Sequence, residues 1–349
     1  MGILGLHNRE DIGEKKFEAS HAGGFHATKD VELIAAADVE EEKLVTFGDA
    51  WDIPIENRYA DHREMLESEP LDIVSVCTPT LFHHDHVIDA AHSSAKPSVI
   101  WCEKPIASSI KQAKEMQSAC AETNTELVIN HSFRFVEKVR QLRSLIQNGL
   151  IGDVKSVTAQ FRRELMRNST HILDTLLFLM DTRASRVAGY INGENDAVDS
   201  LEGERSVVDA GGSGMMLMDD GSMAMVDCTV ARDISSMNLQ IIGTEGKLSL
   251  GFDDQEWRYW DLNDGDHVEK TIPEIDEGWS WDQDYTSAFS NAAQDIVDLA
   301  EGKKPNPSTG EDATRSLEII VGYYISHYTS SIVTLPLEPP LEETRISSW

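Results

Sequence analysis

From residue 2 to about residue 130 the chain alternates short apolar runs with stretches of helical spacing. The runs at 2–6, 31–37, 71–77, 97–102 and 126–130 each have the length of a buried strand, and 110–122 places its apolar residues at helical intervals. Apolar strands separated by helices belong in a parallel sheet covered on both faces, with right-handed crossovers. Past residue 130 the rhythm changes. A helix over 136–148 closes at Gly149. Over 154–162, Val157, Ala159 and Phe161 alternate with Ser156, Thr158, Gln160 and Arg162, the mark of a half-buried antiparallel strand. Runs at 215–218 and 222–230 flank Asp220-Gly221, a hairpin signal. Further strands are read at 239–242, 247–250 and 257–262, and two helices at 285–300 and 311–328, with a loop between them at 302–310. The pattern predicts an α/β parallel-sheet domain over 1–130. A second, α+β domain over 131–349 would carry a large, mostly antiparallel open sheet.

Length and composition agree with two domains: 349 residues, 40% of them hydrophobic. No apolar run reaches the ~18 residues that span a bilayer. The start MGILGL lacks a basic leader, so a cytoplasmic location is expected. Charge changes the picture more. There are 61 acidic residues against 30 basic, a net −31. A surface of that sign repels nucleic acid and anionic membrane. The acid is spread along the chain rather than gathered in a tail, and it points to a halophilic host. Cys77, Cys102, Cys120 and Cys228 follow no metal-ligand or disulfide spacing and read as buried thiols.

The candidate chemistry begins at the strand ends. In VIWCEKP, Glu103, Lys104 and Pro105 stop an apolar strand with two opposite charges and a proline, which drives Lys104 toward extended backbone. At the N-terminus the dinucleotide glycine pattern is only partly met. Gly5 ends the first strand, His7 stands where a second glycine belongs, and Gly13 arrives late, as an insertion before Ser20 would explain. Asp38 ends the second strand. There it can accept hydrogen bonds from a ribose diol and repel a 2′-phosphate, favouring NAD over NADP; it can equally cap the following helix. Thr78 and Pro79 end the third strand. His83, His84 and His86 follow, without the Cys or Glu companions of a metal site, so no metal is expected. Later, 168–174 reads as a helix start capped by Ser169 or Thr170, with His171 and Asp174 on one face. A helix N-terminus favours a neutral imidazole, which can accept a proton.

These residues together resemble the glucose–fructose oxidoreductase and inositol dehydrogenase (Gfo/Idh/MocA) family. The resemblance runs through 21–25, 31–38, Cys77-Thr78-Pro79 with His83, Cys102-Glu103-Lys104-Pro105, Asn130-His131 with Arg134-Phe135, 149–154, 242–246 and 305–312. It implies a Rossmann-type first domain in which Gly5, His7, Gly13, Asp38, Thr78, Pro79, His83, Glu103 and Asn130 bind NAD. It implies that Lys104 meets the hydroxyl being oxidised, that His171 with Asp174 serves as base or substrate ligand, and that Arg134 lies near the substrate. Members pair through the second-domain sheet, so a homodimer or homotetramer is expected; six methionines at 215, 216, 218, 223, 225 and 237 crowd that sheet. One position departs. Where many members have an aspartate four residues before the histidine, this chain has Arg167. Arg167 could bind an anionic sugar, helped by Arg162 or Arg163. The expected activity is NAD(P)-dependent oxidation or reduction of a secondary hydroxyl or carbonyl on a sugar, cyclitol or derivative. The alternatives are NAD-assisted glycoside cleavage and a non-catalytic sugar or dinucleotide sensor.

Overall fold

The computed structural model describes residues 2–4, 18–192, 206–231, 234, 237–252, 257–263, 265–275 and 279–347. It forms two compact units.

The first unit is built on strands β1 (Gly2–Leu4), β2 (Ala35–Ala37), β3 (Arg58–Tyr59), β4 (Ile73–Val76), β5 (Val99–Glu103) and β6 (Glu126–Asn130). All five ladders are parallel, in the order β3-β2-β1-β4-β5-β6. Helices α1 (His21–Ala27), α2 (Glu41–Ala50), α3 (His62–Ser68), α4 (Thr80–His92) and α5 (Ile110–Thr123) connect them. Val99, Ile100, Trp101 and Cys102 are consecutive in β5 and all fully buried, which requires both faces of that strand to be covered. Strand order reverses between β1 and β4. In such sheets ligands bind outside the carboxyl ends of the strands at the reversal, where Thr78 and Pro79 follow β4. The apolar run at 31–37 forms a strand only over its last three residues, where the side chains are fully covered.

By compactness the chain divides a few residues past the expected boundary at 130. The first unit continues to Phe135 and also takes up Tyr285–Ala313. The reason lies at the sheet's edge. Ile129 N–H donates to Ser308 O at 2.9 Å, Ser308 Oγ donates to Ile129 O at 2.7 Å, and Val128 bridges Thr309. A chain segment from far downstream thus covers the open side of β6. Helix α8 (Thr286–Ala300) packs on α1 so closely that a Cβ on Gly24 would lie 2.3 Å from Phe289 O.

The second unit carries α6 (Glu137–Gln147), β7 (Val154–Arg162), α7 (Thr170–Met180), β8 (Ala184–Asn192), β9 (Ser206–Val208), β10 (Gly211–Met218), β11 (Met223–Val230), β12 (Asn238–Gly243), β13 (Gly246–Gly251), β14 (Arg258–Asn263) and β15 (Asp266–Lys270). Most of helix α9 (Gly310–Thr329), β16 (Val333–Thr334) and β17 (Arg345–Ser347) complete it. Among the described residues, nine strands pair in the order β15-β14-β13-β12-β7-β11-β10-β8-β16. The ladders are antiparallel except β7–β11, so β7 is antiparallel to one neighbour and parallel to the other. Val157, Ala159 and Phe161 are buried as their alternation requires, and Gly221 turns the β10–β11 hairpin at φ +84°. Strand β8 escapes the sequence pattern because ASRVAGYIN shows only weak alternation. No helix among the described residues is long and apolar enough to cross a membrane.

Candidate functional site

In the first unit the polar groups gather at the carboxyl edge of the parallel sheet. Glu103, the last residue of β5, is opposite Asn130, the last of β6. Its Oε1 accepts from Asn130 Nδ2 at 2.7 Å and meets His21 Nε2 at 3.1 Å, while Oε2 accepts from Lys104 N–H at 3.2 Å. His21 Nδ1 lies 2.9 Å from Ser75 Oγ on β4, and its ring stacks on Trp101 at 3.4 Å between centroids. Burial pushes the Glu103 carboxyl up. The bonds from His21 and Asn130 and the Lys104 charge outweigh it and hold the group at about 2. Glu103 is therefore a fixed anion that orients the backbone of Lys104 beside the cis Lys104–Pro105 peptide. An ammonium anchored at such an edge can stabilise a developing alkoxide.

His83 is 1% exposed; Nδ1 lies 2.8 Å from Pro105 O and Nε2 2.7 Å from Thr78 O. Burial lowers its pKa, and the neutral ring donates to one of these carbonyls at a time. His83 thus ties the turn after β4 to the turn after β5. Arg134 is 5% exposed, and its guanidinium pairs with Asp312 at 3.2 Å, at the start of α9. Pro79 precedes α4, and Thr78 Oγ1 lies 3.1 Å from His86 Nδ1. Asp38 accepts from Glu40 N–H at 2.8 Å, a local turn before α2; it does not cap that helix, whose N-cap residue Glu40 makes no side-chain cap bond. Lys43, near it in sequence, is tied to Glu40 at 2.6 Å. Asp38 lies just past the second strand of this sheet. Gly5, His7 and Gly13 lie outside the described residues. Among the described residues, no cluster of three His, Cys, Asp or Glu side chains can hold a metal ion.

In the second unit β7 ends at Arg162, and a π-helical turn, Leu165–Ser169, leads into α7. Arg167 is exposed on that turn, His171 is half-buried and Asp174 is buried one turn later. Ser169 does not cap the helix as its position predicts; it is fully buried and its hydroxyl donates to Arg162 O at 3.0 Å. The cap comes from elsewhere. Asp209, just past β9, accepts from Met166 N–H and Arg167 N–H, each at 2.9 Å. His21, Ser75, Trp101 and Asp209 had no role in the sequence reading. His21 is within the segment 21–25 that carried part of the resemblance, but nothing local pairs it with Glu103.

A doubly wound parallel sheet with charged groups at its carboxyl edge, joined to an open-sheet domain, defines an NAD-dependent Rossmann-fold oxidoreductase. Residues 12–131 match the family described as "Oxidoreductase family, NAD-binding Rossmann fold", and residues 139–249 match "GFO/IDH/MocA C-terminal domain". The chain has the Gfo/Idh/MocA-family oxidoreductase fold and is an NAD(P)-dependent oxidoreductase. A D-apiose dehydrogenase from Paraburkholderia graminis is 27% identical over 350 residues, covering 90% of this chain and 86% of its own. An oxidoreductase domain protein from Kribbella flavida superposes with TM-score 0.79 at 19% identity, covering 96% of this chain and 98% of that one. A dehydrogenase from Bordetella pertussis, solved with NADH and UDP-GlcNAcA, superposes with TM-score 0.74 at 18% identity over 97% and 98% of the two chains.

Proposed function

We propose that the chain transfers hydride between NAD and a secondary hydroxyl or carbonyl carbon of a sugar, cyclitol or sugar derivative. The observation that carries this reading is the Glu103–Lys104 turn, anchored at the carboxyl edge of the sheet by His21 and Asn130. NAD, when bound, supplies the hydride acceptor. Lys104 stabilises negative charge on the reacting oxygen, and His171, backed by Asp174, takes or returns the proton. Arg167, exposed at the turn before α7, gives the substrate site a cation suited to a carboxylate-bearing sugar; Arg162 adds a second. The Bordetella pertussis structure was solved with UDP-GlcNAcA. The testing experiment is a panel of D-apiose, myo-inositol, glucosides and uronates with NAD and NADP in high salt, followed at 340 nm. Turnover of none of them with either coenzyme would refute the reading.

Asp38 sets the coenzyme. Calorimetric titration should show NAD preferred over NADP, and Asp38→Ala should narrow that preference by about tenfold, the scale of one charge-assisted contact. A wild-type preference for NADP would contradict this assignment.

We also propose a homodimer or homotetramer formed through the outer face of the nine-stranded sheet. The six methionines divide evenly: Met216, Met218 and Met237 are buried, while Met215, Met223 and Met225 are exposed, as is Tyr190. Ala188, Gly189, Gly214, Met215 and Met225 line a shallow pocket on this face. Light scattering in several molar salt, where the net −31 is screened, should return a multiple of the chain mass. A monomer there would exclude the assembly. The same acidic balance supports a halophilic host.

A further inference from the structure

The turn that carries Arg167 into α7 closes on Glu164 O, which accepts from Asn168 N–H at 2.8 Å and Ser169 N–H at 3.1 Å, but its own residues supply no acceptor to its first amides. Glu164, which opens it, is left-handed at φ +76°, a conformation that residues other than glycine adopt at a cost. The Glu164 side chain accepts from Asn168 Nδ2 at 2.8 Å and caps no backbone amide, and the Ser169 hydroxyl donates to Arg162 O. The first amides of a helical turn need an acceptor from somewhere. Asp209 provides both oxygens, Oδ1 to Met166 N–H and Oδ2 to Arg167 N–H, from more than forty residues downstream. Asp209 is itself pinned. Tyr324 of α9 accepts from Ala210 N–H at 2.7 Å and donates to Val208 O at 3.3 Å, and Ala210 O accepts from Leu165 N–H at 2.9 Å. A rigid path thus runs from α9 through 208–210 to the turn.

We infer that Asp209 is the positioning residue of the substrate end of this unit, a remote carboxylate cap that sets the backbone from which Arg167 and His171 project. The inference rests on the reading of those two residues given above. Burial raises the Asp209 carboxyl to about 6, assisted by Glu164 and opposed by the two amides, so at pH 7.5 the group is largely ionised. A short serine or threonine cap within the turn would avoid a buried charge. Asp209 instead joins the turn to a separate element.

The test needs no substrate. In the intact chain at pH 7.5 and high salt, amide exchange at Met166 and Arg167 should accelerate by about 2- to 30-fold in Asp209→Ala, the range expected for a lost cap. Asp209→Asn keeps one acceptor and should fall between, a partial rescue that also serves if the alanine variant does not fold. The titration midpoint of His171, followed by NMR of labelled histidine and assigned with His171→Gln, should move in both variants. Unchanged exchange at 166 and 167 would overturn the inference, and so would an acceleration spread equally over β10 and α9. A local acceleration with an unmoved His171 midpoint would overturn the positioning of His171. None of these readouts depends on His171 being the base, which is tested by turnover.

Discussion

Lys104→Ala should slow turnover by ~10²–10⁴-fold, the range for removing a group that stabilises charge only as hydride is transferred. NAD affinity should stay close to wild type, because the proposed contact is with the substrate oxygen. His171→Ala should cost a comparable factor. The double variant should lose less than the product of the two, since in the proposed mechanism both groups act on the same hydroxyl. Steady-state rates at 340 nm with a substrate from the sugar panel decide the matter. Near wild-type turnover in Lys104→Ala would remove the catalytic role from the Glu103–Lys104 turn. A large fall in NAD binding instead would recast Lys104 as a cofactor contact.

Glu103→Gln should destabilise the fold in a pH-dependent way. Glu103 is held at about 2 against an ordinary 4.5, because bonds from His21 and Asn130 and the Lys104 charge overcome the cost of burial. A depressed carboxyl adds stability above its unfolded pKa and loses it as pH falls through the folded one. The shift corresponds to about 3 kcal/mol at neutral pH, and this advantage over Glu103→Gln should shrink between pH 4.5 and 2. Urea unfolding of both proteins across that range at fixed salt measures it. A gap that does not change with pH would mean the side chain matters through shape rather than charge. His21→Ala should reproduce part of the loss by removing a donor from the same oxygen.

The parallel ladder, the β10–β11 hairpin and the charged end of β5 were legible because each depends on residues a few positions apart. Periodicity reports which faces are covered, Asp220-Gly221 imposes its turn, and Pro105 restricts its predecessor. Arg134 and His83 were legible as residues but not in their partners. Which group a guanidinium or an imidazole meets depends on tertiary packing, and here that is Asp312 in one case and two backbone carbonyls in the other.

The sequence by itself therefore determined two sheet-based domains, a parallel sheet suited to NAD with Asp38 at its second strand, and the turn that presents Lys104. Only the tertiary structure decided which distant groups complete those features. His21 reaches Glu103 across 82 positions, Asp209 reaches the amides of Met166 and Arg167 across 43 and 42, and Ser308 closes the edge of β6 from 179 residues away. A buried polar atom must find a partner, but which partner is settled by strand order and packing, and neither leaves a periodic trace along the chain.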